Sequence, residues 1–297
     1  MKCLVIGADG QLGSELCRII PPNELVALTI KDIDVTDQLL TRQVLARHRP
    51  EVVINTAAYT AVDAAESHQA AAQLVNETGA RNVAEACLAI EAALVQISTD
   101  YVFNGDKPPG QAYTEDDRPE PRSFYGKTKL AGEQWVTQTL KKHYIVRSAG
   151  LYGIVGSLGK GGRNFVDAIV EKASRHETPR IVADEFASPT YARDLAEKIG
   201  QLIRTDQYGL YHIVNRGQCS WYEFGAQVLA LIGSEISPRQ IGRSELGTKA
   251  HRPINSALAS VRLKPIGLSE LRPWLEALRA YLAEKGYNLP GREGAKQ

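Results

Sequence analysis

Three glycines at three-residue spacing, Gly7, Gly10 and Gly13, follow a short apolar run from Cys3 to Ile6. A helical pattern from Gln11 to Ile20 comes directly after them and stops at Pro21-Pro22. A strand, a glycine turn and a helix in that order leave few folds open. Glycine permits the tight turn and lets backbone approach a pyrophosphate closely, and the helix N-terminus behind it offers amide donors and the positive end of its dipole. The segment Gly7-Ala8-Asp9-Gly10-Gln11-Leu12-Gly13 is therefore expected to hold a dinucleotide, with Gly7, Gly10, Gln11, Leu12 and Gly13 as its contacts.

The rest of the first half keeps the same rhythm. Strands are expected at Leu25 to Leu28, Val52 to Ile54, Leu94 to Ile97 and Tyr144 to Val146. Helices are expected at Thr36 to Arg47 (capped by Asp34 or Thr36), Ala70 to Ile90 and Tyr125 to Leu140. Near-continuous apolar strands alternating with helices predict an α/β fold, a doubly wound parallel Rossmann sheet covered on both faces. After Gly150 the rhythm changes. Gly153 to Gly162 is glycine-rich and reads as a mobile loop; helices follow at Asn164 to Arg175, Asp194 to Arg204, Trp221 to Ile232 and Leu271 to Lys285. Strands are expected at Pro179 to Ala183 and Leu210 to Val214, residues 234–268 read as irregular, and the tail from Gly286 reads as frayed. The predicted division is a Rossmann domain over 1–148 and about 178–215, with a smaller, interleaved C-terminal substrate domain over about 149–177 and 216–297.

Composition narrows the partners. The chain is 43% hydrophobic and 23% charged with a formal net charge of +1, which argues against a nucleic-acid binder with its basic excess. No apolar run reaches the roughly 18 residues of a membrane span, and no signal peptide precedes the first strand. Cys3, Cys17, Cys87 and Cys219 form no CxxC pair; buried free thiols and a cytoplasmic setting are expected. The histidines are isolated and Glu15 reads as a solvent-facing charge, so no catalytic metal is expected. Monomer and homodimer both remain open.

Tyr125 and Lys129 lie four residues apart, on one face of a predicted helix. A nearby ammonium favours the phenolate, so the pair makes a proton donor for a carbonyl that is receiving hydride, and both residues are expected against the cofactor, with Lys129 able to hydrogen-bond its ribose. Such a pair arises by chance on many helices; its weight comes from order along the chain. The glycine turn comes first, then Ser98-Thr99-Asp100 at the end of the fourth strand, then the Tyr–Lys helix. Ligands bind at strand C-termini in such sheets, so Thr99 is expected in the same crevice, polarising the carbonyl oxygen.

With these residues in register, the chain resembles the dTDP-4-dehydrorhamnose reductase family of the extended short-chain dehydrogenase/reductase superfamily. The resemblance rests on the GxxGxxG turn, Asn55 to Glu66, Ser98 to Phe103, Tyr125 to Glu133, Asn164-Phe165-Val166, Pro189-Thr190 and Arg252 to Ser256. It implies NAD(P)H-dependent reduction of the 4-keto group of dTDP-4-dehydro-L-rhamnose. Tyr125 would then be the proton donor, Lys129 its electrostatic partner and Thr99 the polariser, with Asp100 orienting the sugar. It places Asp34, Val35, Ala57, Ala58 and Tyr59 along the cofactor, Thr60 and Val62 near the sugar, and Asn164 and Arg252 at the diphosphate. Apart from the resemblance, Arg252 is only a suitable bidentate phosphate partner.

The end of the second strand reads Leu28-Thr29-Ile30-Lys31, without the acid that usually holds a ribose 2′-hydroxyl. Asp32 and Asp34 lie slightly beyond. NADPH is expected, with NADH also accepted. Two departures from the family fall on the substrate side. Its Arg-x-Ser-Trp-Val-Tyr-Gly is here Arg147-Ser148-Ala149-Gly150-Leu151-Tyr152-Gly153, and its Asp-Gln-x-Gly-x-Pro-Thr is Asp184-Glu185-Phe186-Ala187-Ser188-Pro189-Thr190. Gly150 leaves the pocket wider, and Phe186 is expected to supply apolar surface. A reductase of a different 4-keto sugar therefore stays open. A dehydratase is disfavoured because Tyr101 stands where Thr-Asp-Glu would place an acid. A non-catalytic binding subunit has no need for the Thr99, Tyr125 and Lys129 set.

Overall fold

The computed structural model describes residues 1–156 and 161–289. In chain order the main elements are β1 (Cys3–Ile6), α1 (Gln11–Ile19), β2 (Leu25–Leu28), α2 (Gln38–His48), β3 (Val52–Asn55), α3 (Val62–Ala65), α4 (Gln69–Gln73), α5 (Gly79–Ala89), β4 (Ala93–Thr99), α6 (Phe124–Thr139), β5 (His143–Ser148), β6 (Leu151–Tyr152) and α7 (Phe165–Ser174). Then come β7 (Arg180–Val182), β8 (Phe186–Ala187), β9 (Thr190–Tyr191), α8 (Ala192–Leu202), β10 (Gly209–His212), β11 (Cys219–Ser220), α9 (Trp221–Leu231), β12 (Arg239–Ile241) and α10 (Trp274–Glu284).

Six strands form one parallel sheet in the order β10-β5-β4-β3-β1-β2. Alternate residues of each strand face opposite layers, and both layers are apolar. Cys3, Val5, Val52, Ile54, Val95 and Ile97 pack with Leu12 and Leu16 of α1 and Leu195 and Ile199 of α8. Leu4, Ile6, Val53, Leu94 and Ile145 pack with Leu45 of α2, Val83 and Cys87 of α5 and Val136 of α6. A strand buried on both sides cannot show polar alternation, which is why these runs read as continuous. The doubly wound Rossmann sheet expected from the sequence is what forms. From β1 the chain passes to β2 on one side and then returns to β3 on the other, so a crevice opens where the order reverses, beside the glycine turn.

The remaining elements build a second domain. Its core holds Tyr152, Val166, Ile169, Ile181, Tyr191, Phe224, Val228, Leu278 and Tyr281. Three short ladders, β6–β9, β8–β11 and β7–β12, surround it. Tyr152 stacks on Tyr191 at 5.7 Å between centroids and meets Tyr281 edge-on at 5.2 Å.

Several local expectations need correction. The cap of α2 is Asp37, whose carboxylate accepts from the Leu40 amide at 2.9 Å, because Asp34 turns instead onto Thr36. The helix expected over 70–90 contains a π-turn at Leu74–Thr78 between α4 and α5, which apolar periodicity does not reveal. Residues 234–268 include the strand β12, paired with β7. Glu15 is buried rather than solvent-facing, and Arg18 holds it at 3.1 Å. Cys3, Cys87 and Cys219 are buried free thiols as expected, and Cys17 is half-buried. Residues 157–160 of the glycine-rich stretch and 290–297 of the tail lie outside the described residues. Among the described residues, no helix is long and apolar enough to cross a membrane.

Gly7 has a positive φ of 79°, and a Cβ on Gly13 would stand 2.0 Å from the Gly7 carbonyl oxygen. The first turn of α1 thus rests directly on the backbone of the glycine turn. Gly13→Ala is expected to destabilise the protein by about 3 kcal/mol, because the atom it meets is backbone. Urea unfolding checks this; an unchanged midpoint would mean that α1 can lift freely from the turn.

Candidate active site

The crevice continues into a cavity of about 820 Å³ between the sheet and the second domain. That volume is within the range of small-molecule sites. Gly7, Gly10, Gln11 and Leu12 form one wall, Ile33, Asp34 and Val35 another, and Ala57, Ala58, Tyr59, Thr60 and Val62 follow from β3. Thr99, Asp100, Tyr125, Lys129, Asn164 and Arg252 close it from the far side. Of the residues singled out in the sequence, only Gly13 is absent from the wall, since it packs beneath the turn.

The glycine-turn end fits a dinucleotide. No side chain caps the N-terminus of α1 at Gly10, so the first amides of the helix are left for an anion. Gln11 Oε1 and Ser148 Oγ are buried, line the cavity and have no protein partner. Orphaned buried polar atoms in a cavity wall are what a bound polar ligand would satisfy. Beyond β2, Asp32 bends back and accepts from both the Thr29 amide and its hydroxyl, each at 2.9 Å. These two bonds hold its carboxyl below the ordinary range. Asp34 reaches the cavity while one of its oxygens accepts from Thr36 Oγ1 at 2.7 Å.

Thr99, Asp100, Tyr125 and Lys129 come together where β4 ends. Helix α6 is started by Ser123, whose hydroxyl accepts from the Gly126 amide at 3.1 Å. This cap points Tyr125 and Lys129, one turn apart, at the end of the strand. Thr99 donates to Asp100 at 3.0 Å and accepts from the Tyr101 amide at 3.2 Å, and it lines the same cavity as Tyr125. Lys129 Nζ donates to the Ile97 carbonyl at 2.6 Å. Burial pushes the Tyr125 phenol up to about 12, against the pull of the Thr99 hydrogen bond. Burial also brings the Lys129 ammonium down to about 8, with Glu133 acting the other way. From the sequence the ammonium is expected to depress the phenol; burial, with the Asp100 carboxylate adding to it, raises the phenol instead, and it stays protonated at neutral pH. A protonated phenol beside a hydroxyl donor suits proton delivery to a carbonyl oxygen.

The far end is charged. Arg252 Nη2 pairs with Asp63 at 2.7 Å, and its Nη1 donates to the Tyr101 hydroxyl at 3.4 Å. Its Nε is buried with no protein partner. Asn164 lies in the wall, but its side chain caps α7 through the Asp167 amide and donates to the Gly153 carbonyl and the Tyr281 hydroxyl. Burial raises the Glu185 carboxyl, with Arg252 and Arg243 pulling it down.

Several residues that sequence reasoning missed stand here. Asn76, on the π-turn, accepts from the Tyr59 amide at 2.9 Å and donates to Thr128 at 3.1 Å, tying the β3 loop to α6. Trp221, which read as one more apolar helix residue, lines the cavity. Gly150 has φ of 53°, and a Cβ there would come within 3.3 Å of the Trp221 ring. Trp221 stands next to Gly150, and Phe186 lines the same cavity. The signal for Trp221 was the missing aromatic itself, which had to be replaced from elsewhere in the chain if the wall was to stay apolar.

The family model described as "RmlD substrate binding domain" matches residues 1–286. Among relatives, the chain is 40% identical over 286 residues to the spore coat polysaccharide biosynthesis protein SpsK of Bacillus subtilis, covering 96% of this chain and 98% of that one. It is 40% identical over 302 residues to a dTDP-4-dehydrorhamnose reductase of Streptomyces griseus, covering 99% and 95%. The crystal structure of dTDP-4-dehydrorhamnose reductase from Bacillus anthracis in complex with NADP aligns with a TM-score of 0.91 at 38% identity, over 96% of this chain and 100% of that one.

Asp100 offers a direct test of the site's electrostatics. Burial raises its carboxyl from 3.8 to about 6, against hydrogen bonds from Ser256 and Thr99. The folded protein therefore binds this proton more tightly than the unfolded chain does. The charge costs stability in full above about pH 6, and the cost disappears as pH falls below the unfolded value near 4. Asp100→Asn is expected to be more stable than wild type near neutral pH by ~3 kcal/mol, with the excess vanishing toward about pH 4. Denaturant unfolding across that range checks it; a constant difference would exclude the titration.

Proposed function

The chain belongs to the dTDP-4-dehydrorhamnose reductase family, and on that premise we propose that it reduces the 4-keto group of dTDP-4-dehydro-L-rhamnose with NADPH. The class is an NAD(P)-dependent oxidoreductase acting on a 4-keto nucleotide sugar. The observation that carries the finer reading is the convergence of Thr99, Tyr125 and Lys129 at one end of the cavity whose other end is the glycine turn.

When bound, the dihydronicotinamide supplies the hydride to the sugar C4 carbon. Thr99 donates toward the C4 oxygen and polarises the carbonyl. Tyr125 delivers its phenolic proton to that oxygen as negative charge develops there, and its raised pKa keeps it loaded for the purpose. Lys129, fixed by the Ile97 carbonyl, stabilises the phenolate left behind. Asp100 orients the sugar through its hydroxyls. The unpartnered Nε of Arg252 is free to donate to the diphosphate, with Asn164 shaping that end and Thr60 and Val62 against the sugar. Gly7, Gly10, Gln11 and Leu12 take the cofactor pyrophosphate, Gly13 supports that turn, and Asp34, Val35, Ala57, Ala58 and Tyr59 line the rest of the cofactor. NADPH is favoured over NADH because the end of β2 carries no acid, the Asp32 carboxylate is spent on Thr29, and Asp34, which does reach the cavity, is held by Thr36; NADH is also accepted. Three buried free thiols suit a reducing, cytoplasmic setting.

A second reading, reduction of a different 4-keto deoxysugar nucleotide, is favoured by the wall at Gly150, where Trp221 of α9 stands against the glycine and gives that wall a different shape. Loss of NADPH absorbance with dTDP-4-dehydro-L-rhamnose tests the first reading. Tyr125→Phe is expected to lower kcat by about 10²–10⁴-fold with cofactor binding retained, and a parallel NADH assay measures the preference. Turnover in Tyr125→Phe at the wild-type rate would remove the phenol from the mechanism. Cofactor binding without turnover on this sugar, but with turnover on another keto-sugar nucleotide, would establish the second reading.

A further inference from the structure

Helix α6 carries a third ionisable residue on the face of Tyr125 and Lys129, two turns beyond the phenol. Glu133 is buried, as is Arg147 of β5, which grips it with both arms: Nε to Oε1 at 2.9 Å and Nη2 to Oε2 at 2.6 Å. The Ser98 hydroxyl also donates to Oε1. The same two elements therefore meet at two successive residues of β4: Ile97 holds Lys129 and Ser98 holds Glu133, next to Thr99 in the cavity wall.

A buried ion pair that served only to fasten a helix to a sheet would be replaceable by apolar side chains at little cost. This one stands beside a buried cation that the reaction needs charged. We propose that Glu133 is a positioning residue of the active site, whose carboxylate, clamped by Arg147 and Ser98 one turn beyond Lys129, keeps that lysine charged where the Ile97 carbonyl holds it. The inference rests on the reductase reading of Tyr125 and Lys129.

The surroundings leave Glu133 this role. On the inner face of α6 the charged and titratable groups near Lys129 are Tyr125 and Glu133 on the helix itself, Asp100 and Tyr101 on the turn after β4, and Arg147 on β5. His212 of β10 faces Arg147. From the α3–α5 side come Glu66, which accepts from the Phe124 amide, Glu77, which accepts from Trp135, and Arg81, which lies over the Trp135 ring. Burial brings the ammonium down, and Glu133 is the group that raises it. Removing the carboxylate also leaves Arg147 unpaired, which adds repulsion of the same sign.

The folded Lys129 loses its proton at about 8, so kcat/KM is expected to fall as pH rises through that value. Glu133→Gln should move this alkaline limb about one pH unit lower, and the pH above which NADPH affinity weakens, read by fluorescence without substrate, should move with it. Glu133→Asp keeps the charge and should return the limb most of the way. If Glu133→Gln does not fold, the double variant Glu133→Gln/Arg147→Met removes both charges, and its limb should still lie below the wild-type one. Coincident limbs in wild type and either variant, with Tyr125→Phe inactive, would overturn the role of Glu133 and leave the reductase reading intact. An active Tyr125→Phe would instead remove the reading on which the inference rests.

Discussion

A lysine ammonium bonded to a strand carbonyl inside the protein sets the terms for everything around it. The β3 ladder ends at Asn55 opposite Gln96, while β4 runs on to Thr99 beside β5. The overrun frees backbone groups at the C-terminal end of the central strand, and Lys129 takes the Ile97 carbonyl. A charge held in that way, nearly out of water, requires polar company. It finds Glu133 behind it and the open cavity in front. The spacing of Tyr125, Lys129 and Glu133, four residues apiece, is the helix repeat set against three consecutive strand residues. Tyr125 to Glu133 rises about 12 Å along α6 while Ile97 to Thr99 spans about 6.6 Å, so helix and strand do not run in register, and the side chains of α6 converge on one short stretch of β4.

The features legible in the sequence are those that depend on local spacing. The glycine turn, the apolar strands and the Tyr–Lys pair each occupy one short window, and each forms where its spacing put it. The structure places Tyr125, Lys129, Thr99 and Asp100 in one cavity because strand ends and helix starts in a parallel sheet share an edge. What stayed hidden depends on pairs distant in the chain. Asn76 matters through Tyr59 and Thr128, and Trp221 through Gly150, separations that periodicity cannot report. The π-turn that carries Asn76 sits inside an alanine-rich run whose apolar pattern fits a plain helix equally well. Glu15 misled for the same reason: a glutamate on an amphipathic helix looks solvated until Arg18 and the packing of α8 are known.

The substrate end shows how a departure in sequence is absorbed in space. Gly150 has a left-handed backbone conformation, so a side chain there would be strained as well as crowded by Trp221 and Pro189. The aromatic surface is supplied instead from α9, whose first residue is Trp221, held by a capping box between Ser220 and Glu223. Reaction type and sugar selection are therefore carried by separate parts of the fold. The sheet and α6 hold Thr99, Tyr125 and Lys129, while the second domain shapes the wall opposite. Under the proposed reading, a change in the wall would alter the sugar accepted while Thr99, Tyr125 and Lys129 keep the reaction type.

The same separation applies to protons. Tyr125, raised to about 12, is loaded throughout the neutral range. The groups titrating nearest neutrality are its neighbours: Asp100, raised to about 6, and Lys129, lowered to about 8. Both shifts come from burial, and burial disfavours the charged form of each. Between the two values the site holds a carboxylate that can orient hydroxyls and an ammonium that can stabilise a phenolate. Below the lower value the carboxylate is neutralised, and above the upper one the ammonium is. The limits of a pH–rate profile here belong to the residues that frame the donor, and a limb observed near 8 is evidence about Lys129 and its environment rather than about the phenol.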